Sequence, residues 1–311
     1  MFNYFYKTMN NIKTNFSIKD LENLSGIKAH TIRIWEKRYN LFQPNRTDTN
    51  IRYYSTASLQ KILNISFLNN NGYKISKIAS LEESEISKLV KEISESKDPS
   101  NHSINLLKLA MINFDQSLFN NTFYKLEEEM PFKTIFFDIF IPLLDHIGLL
   151  WQTDTITPAH EHFIVELIKK KILVETEKAY KENTPNLSQT PFALFLPDNE
   201  MHELGLLFTN LELTLQAKHV IYLGQSVPID SLEFLLTKHK KINFISNFTI
   251  KPEKENLDDY LTKFSEVLLN NNNCKFLVSG RMLASKPKFS NPNIQTFDST
   301  KALLEYIDNE K

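Results

Sequence analysis

A change of hydrophobic period near residue 191 constrains this chain more than any other feature. Beyond it, Phe192-Ala193-Leu194-Phe195-Leu196, His219-Val220-Ile221-Tyr222-Leu223, Asn243-Phe244-Ile245-Ser246 and Lys275-Phe276-Leu277-Val278 are short apolar runs separated by helix-length segments. That alternation predicts a parallel sheet with right-handed crossovers. A fifth short strand over 294–297 makes the sheet flavodoxin-like, with ligands expected at the carboxyl ends of its strands. Before residue 181 the period is helical. Segments 104–114, 116–129, 132–151 and 158–180 carry no strand signal and predict a four-helix bundle. The expected fold class is multidomain, α and α/β.

At 311 residues the chain is too long for one core, and 41% hydrophobic with 12% aromatic residues is enough to build several. Net charge is −1, but residues 1–80 hold twelve Lys/Arg against four Asp/Glu, a balance of +8 that leaves −9 for residues 81–311. A basic module on an acidic remainder points to nucleic acid at one end and a different ligand at the other, against the alternative of a merely solvated basic face. The one cysteine, Cys274, excludes an intramolecular disulfide framework and fits a reducing compartment. The first fifteen residues lack the apolar run and cleavage site of a secretion signal, and 134–151 is interrupted by Asp138, Pro142, Asp145 and His146, costly groups in lipid. We expect a cytoplasmic protein with no membrane partner.

Ser17 is a good N-cap for 18–24, where Ile18, Leu21 and Leu24 recur at helical spacing, and Ser25-Gly26-Ile27 breaks that helix. A second helix over 28–39 is expected to turn Ile27, Ile34 and Trp35 inward and His30, Thr31, Arg33 and Lys37 outward. Two short helices about a glycine turn make a helix-turn-helix. The polar stretch 44–54, flanked by Arg46 and Arg52, reads as a wing. Two further helices, turned at Asn71-Gly72, complete the module by residue 81. The expected domains are 1–81 for DNA, an exposed linker helix over 82–102 ending at Asp98-Pro99-Ser100, a bundle over 103–181 and the sheet domain over 191–311.

The string Thr31-Ile32-Arg33-Ile34-Trp35-Glu36-Lys37-Arg38-Tyr39, followed by Leu41, Pro44, Arg46 and Arg52-Tyr53-Tyr54-Ser55, resembles the signature of MerR-type transcription regulators. The resemblance implies that Thr31 and Arg33 face the groove and its phosphates, while Arg46, Arg52 and Tyr54 clamp the backbone from the wing. Trp35 and Tyr39 read as core aromatics. Asn50 stands where the family has a wing glycine, and asparagine tolerates left-handed backbone.

The loop Asp198-Asn199-Glu200-Met201-His202-Glu203-Leu204-Gly205 is similar to the Asp-x-His-x-x-Gly motif of cobalamin-binding domains in methionine synthase and light-responsive MerR regulators, where the histidine is cobalt's lower ligand. The resemblance implies a metal-ligating His202, with Glu200 in the place of the aspartate that orients the imidazole. Tyr222-Leu223-Gly224 with Ser226 and Pro228 resembles the loop holding the cofactor's nucleotide tail. Ser246-Asn247-Phe248 and Ser279-Gly280 stand where the family has Ser-x-Leu and Gly-Gly. Trp151, followed ten residues later by Glu161-His162, resembles the cap over the upper face, a core tryptophan and a helix-surface pair being the alternative. Gln152 replaces the histidine that light-sensing relatives place after the tryptophan, which argues against a full photochemical switch.

The resulting expectation is a homo-oligomeric repressor or activator that binds a double-stranded DNA operator, reaches RNA polymerase only indirectly, and senses cobalamin, with adenosylcobalamin the candidate form, through its oligomeric state. A regulator whose sensor domain answers another ligand or a partner protein is the alternative. A corrinoid methyl-carrier subunit of an enzyme comes third, because no catalytic nucleophile or substrate barrel accompanies the fold; we expect no enzyme and assign no catalytic residue.

Overall fold

A computed structural model describes residues 15–309 except 48, 97–98, 154, 270–272 and 284–290, so Asp98 of the expected linker lies outside the described residues. The chain divides into two compact units, Met1–Leu167 and Ile168–Lys311.

In the first unit, α1 (Ile18–Ser25) begins at a capping box. Asp20 N donates to Ser17 Oγ at 3.1 Å, and Ser17 N donates to the Asp20 carboxylate at 2.7 Å. Gly26 ends the helix at φ 76, a left-handed cap that suits glycine. In α2 (Ala29–Tyr39) the buried residues are Ile32 and Trp35, whereas Ile34, expected inward, is 53% exposed. Helical spacing explains the correction: Ile32 and Trp35 are three residues apart and share a face, and Ile34 lies roughly opposite Ile32 at about 100° per residue. The wing is a two-stranded antiparallel ribbon, β1 (Asn45–Arg46) and β2 (Arg52–Tyr53), with Asn50 at φ 65 in its turn. After it come α3 (Thr56–Asn70) and α4 (Ile75–Ile78). The segment expected as an exposed linker helix, α5 (Glu83–Ser96), instead buries Ile86, Val90 and Ile93. Their spacing of four and three residues makes an apolar stripe, which packs on α3.

The bundle helices are α6 (Pro99–Asn113), α7 (Gln116–Glu129), α8 (Phe132–Ile135), α9 (Ile141–Gln152) and α10 (Pro158–Glu182), the last running on into the second unit. A π-helical turn, Phe136–Phe140, joins α8 to α9. Its N–H···O bond from Ile141 to Phe136 widens the helix just before Pro142, which has no amide to donate. Residues 132–151 are long and apolar enough to cross a membrane, yet Ile135, Phe136, Ile139, Phe140, Leu143, Ile147 and Leu150 are buried in the protein.

The second unit contains β3 (Phe192–Phe195), α11 (Leu204–Leu215), β4 (Val220–Gly224), α12 (Ile229–Lys238), β5 (Asn243–Asn247), α13 (Leu257–Phe264), β6 (Lys275–Ser279), β7 (Ile294–Phe297) and α14 (Thr300–Asn309). All five strands are parallel, in the order β4-β3-β5-β6-β7. Counted within the domain, that is the flavodoxin-like order 2-1-3-4-5. Phe195, Phe244 and Phe276 pack on one face with Phe264 of α13, while Leu194, Ile245 and Leu277 pack on the other with Leu206 of α11 and Leu303 of α14. The order reverses between β3 and β5, so the loops leaving those two strands frame the crevice where such sheets bind ligands.

Candidate functional site

On the DNA-binding module, Arg33 is exposed on α2 and Thr31 is half-buried, its hydroxyl 3.3 Å from His30 Nε2. Arg46 is held at the wing tip by Asn50, whose side-chain oxygen accepts from it at 2.7 Å. Arg52 Nε lies 3.4 Å from Glu36 Oε2 and keeps part of its guanidinium exposed. Tyr54 is a correction. It is 0% exposed, and its hydroxyl donates to Glu36, so it cannot clamp a DNA backbone from outside. Burial, reinforced by the Glu36 charge, pushes its phenol far above the usual range. Glu36 thus fastens the wing to α2, a role its place inside the signature string did not reveal. Tyr54→Phe is expected to cost about 1.5–3 kcal/mol of stability, the usual range for a hydrogen bond to a charged group. Its DNA affinity should keep the wild-type salt slope. A denaturant melt and a salt titration check the two halves, and a slope shallower by one phosphate would return Tyr54 to the interface.

At the crevice of the sheet, the loop after β3 carries Glu200 and His202. Glu200 is fully buried. One oxygen accepts from the amides of Met201 at 2.9 Å and His202 at 3.0 Å and from His202 Nδ1 at 2.5 Å. The other accepts from the amides of Thr249, Ile250 and Lys251 at 3.2, 2.7 and 2.8 Å. Burial alone would raise this carboxyl, but the bonds from His202 and from the Lys251 and Ile250 amides outweigh it and bring it down to about 2. The longer glutamate therefore still reaches the imidazole. It is at the same time gripped by the loop that leaves β5. With the proton on Nδ1, the Nε2 atom of the half-exposed His202 carries the ring's lone pair.

The glycines of the motif have a steric reason. A Cβ on Gly205 would lie 2.3 Å from Asn247 Nδ2, and one on Gly280, at φ 131, would lie 2.3 Å from the Phe248 carbonyl oxygen and 2.8 Å from Asn247 Oδ1. The Asn247 carboxamide sits between the two glycines, with Nδ2 donating to Thr300 Oγ1 at 3.2 Å. Sequence reasoning quoted Asn247 only as a departure and gave it no role. Ser226, at φ 52, accepts from the Asn199 amide at 3.0 Å, and Gln225 donates to the Met201 carbonyl at 3.1 Å, so the β3 and β4 loops are tied together. Glu203 pairs with Lys169 and accepts from Tyr222 at 3.2 Å, a cluster the sequence did not disclose. Ser246 is buried and already donates to the Phe195 carbonyl at 2.8 Å. Ser279 is buried with no partner for its hydroxyl.

In the first unit, Trp151 ends α9 and is 48% exposed, which removes the core-tryptophan alternative. Glu161 is half-buried and His162 exposed in the opening turns of α10, and no hydrogen bond or ring contact joins either to Trp151. The Gln152 side chain lies outside the described residues. Among the described residues no three His, Cys, Asp or Glu side chains gather as a protein-only metal site.

Residues 16–85 match the family described as MerR HTH family regulatory protein, and residues 104–174 match the B12 binding domain family. The two matches give the chain a MerR-type helix-turn-helix domain followed by a region of the B12-binding type. The chain is similar to the HTH-type transcriptional repressor CarH of Myxococcus xanthus, with 25% identity over 252 residues, 79% of this chain and 82% of that one. It is also similar to the HTH-type transcriptional regulator MlrA of Escherichia coli, 33% identical over 66 residues that span 21% of this chain and 27% of that relative. In fold, it matches the monomethylamine corrinoid protein of Methanosarcina barkeri at a TM-score of 0.54 and 15% identity, covering 66% of this chain and 96% of that structure.

Proposed function

We propose that this regulator is a cytoplasmic sensor of a corrinoid, which changes its oligomeric state and through it the affinity for a DNA operator, reaching RNA polymerase only by that route. The observation that carries the reading is the Glu200–His202 pair at the carboxyl edge of the sheet: a buried carboxylate fixing the tautomer of a half-exposed imidazole is the arrangement a metal-ligating histidine uses. Gly205 and Gly280 make room for the Asn247 carboxamide between them, and a bound tail would take its place there by turning that side chain aside. The residues fit the group. Cobalamin would supply a cobalt centre that one imidazole can ligate. His202 would hold it through Nε2, Glu200 would keep that ring in place, and Ser226, Ser246, Ser279, Gly205 and Gly280 would line the tail. From the resemblance, Trp151, Glu161 and His162 are the helical module's contribution. On this reading the working modules are 1–81, 82–102, 103–181 and 191–311.

The test is incubation of purified protein with adenosylcobalamin in the dark, followed by gel filtration read at protein and corrin wavelengths and by operator binding. Co-elution of pigment with a changed elution volume supports the reading. Colourless protein with unchanged volume hands the regulator to another ligand or a partner protein.

On the DNA side, Arg52→Ala is expected to weaken specific and random duplexes nearly equally and to flatten log K against log salt by roughly 0.9, the loss of one phosphate contact. Arg33→Ala should instead cost more on the operator than on random DNA, by about 1–3 kcal/mol if it reads a base edge. Parallel salt titrations on both duplexes separate the two roles. Equal losses for Arg33→Ala would move it to the backbone class.

A further inference from the structure

A second polar site lies inside the first unit, where the DNA-binding module meets the bundle. A cleft of about 160 Å³ is lined by the end of α1, by α3, by α6 and by α9. Lys108, on α6, faces this cleft and is only 8% exposed, yet its ammonium makes no hydrogen bond or ion pair with any described residue. His146, on α9, joins it; its Nε2 atom is buried and has no hydrogen-bond partner. Asn70, Asn101 and Asn105 bring side-chain amides to the same walls, and among the described residues no carboxylate lines the cleft. A buried cation with no counter-charge is a costly arrangement, since the desolvation of the ammonium is offset by nothing. Burial alone brings the Lys108 ammonium down to about 8. His146 is brought down to about 4 by burial and by the Lys108 charge, against a hydrogen bond at the Asn23 backbone.

We propose that this cleft binds a small oxyanion, a phosphate or the phosphate group of a small metabolite, with Lys108 as its charge partner, the asparagine amides as donors, and His146 Nε2 as a further donor once the bound anion's charge has drawn a proton onto it. Size and chemistry agree. The cleft has room for one tetrahedral oxyanion with a short substituent, and its walls offer donors in several directions with one full positive charge. Because α1 and α3 belong to the DNA-binding module and α6 and α9 to the bundle, a bound anion would draw on both and hold them together. This function is independent of any corrinoid.

Isothermal titration of the full chain with inorganic phosphate, at ionic strength held constant with chloride, tests the proposal, and glycerol 3-phosphate in a parallel titration distinguishes a free anion from an esterified one. Saturable binding is expected, together with a melting temperature that rises with phosphate but not with chloride. Lys108→Met should weaken binding at least tenfold. It should also melt no lower than wild type without phosphate, because it removes an uncompensated charge, so loss of binding cannot be put down to unfolding. His146→Gln should weaken binding several-fold. No saturable heat from either phosphate up to tens of millimolar, or undiminished binding by Lys108→Met, would overturn the proposal.

Discussion

After incubation with adenosylcobalamin in the dark, His202→Ala is expected to leave gel filtration colourless under conditions in which wild type carries the pigment. The reasoning is local. His202 is half-exposed and packs little, but its Nδ1 donates to the buried Glu200 carboxylate, so the substitution is expected to cost about 1.5–3 kcal/mol of stability. A complete loss of corrinoid at a temperature well below the variant's own melting transition therefore isolates ligation from folding. Affinity should fall by at least a hundredfold, beyond the 10–100-fold typical of losing an outer partner of a metal ligand. A visible titration decides it. If His202→Ala holds the pigment with the wild-type spectrum, the imidazole does not ligate cobalt, and the loop after β3 has another use.

Glu200→Ala is expected to destabilise the second unit by about 3–5 kcal/mol, the usual cost of breaking a buried charged pair. The amides of Thr249, Ile250 and Lys251 would lose their shared acceptor together with those of Met201 and His202. Glu200→Gln should be nearly as costly, because its NH2 group would confront N–H donors. The same carboxylate sets an acid limit. Its folded pKa of about 2 lies below the ordinary 4.5, so the folded state favours the ionised form. That contribution, about 3 kcal/mol from the size of the shift, is full above roughly pH 4.5 and is lost as pH falls toward 2. Urea melts of wild type and Glu200→Ala between pH 7 and pH 3 should converge as acid removes what the mutation removes. Parallel curves would show that Glu200 is not the group responsible.

The sheet was legible because its inner strands, β3, β5 and β6, are largely buried and read as unbroken apolar runs, each bounded by helix-length sequence. The expected 294–297 strand and the observed β7 coincide. The 82–102 stretch was misread because its many Glu, Ser and Lys residues hide three apolar residues at helical spacing, and only the presence of α3 beside them decides which face is covered. Ile34 failed for a related reason: adjacent apolar residues on a short helix do not say which of them is inside. At the site, the histidine and glycine of the loop after β3 were readable as a motif. The backbone of 249–251 was not, since three amides closing on one carboxylate leave no side-chain pattern. Tyr54 carried the family's signature but not its own burial, which depends on Glu36 across the wing. Lys108 looks in sequence like any helix-surface lysine.

Glu36 has a consequence for how such regulators diversify. One carboxylate on α2 takes the phenol of Tyr54 and the guanidinium of Arg52, so helix and wing behave as a single mechanical part. The exposed α2 positions His30, Arg33, Ile34 and Lys37 lie outside that bonded trio and can be exchanged while it is kept. New operator preferences can then evolve by substitution at a few surface sites while the spacing between groove and backbone contacts stays inherited, so paralogues should differ in the bases they choose sooner than in the length of DNA they cover.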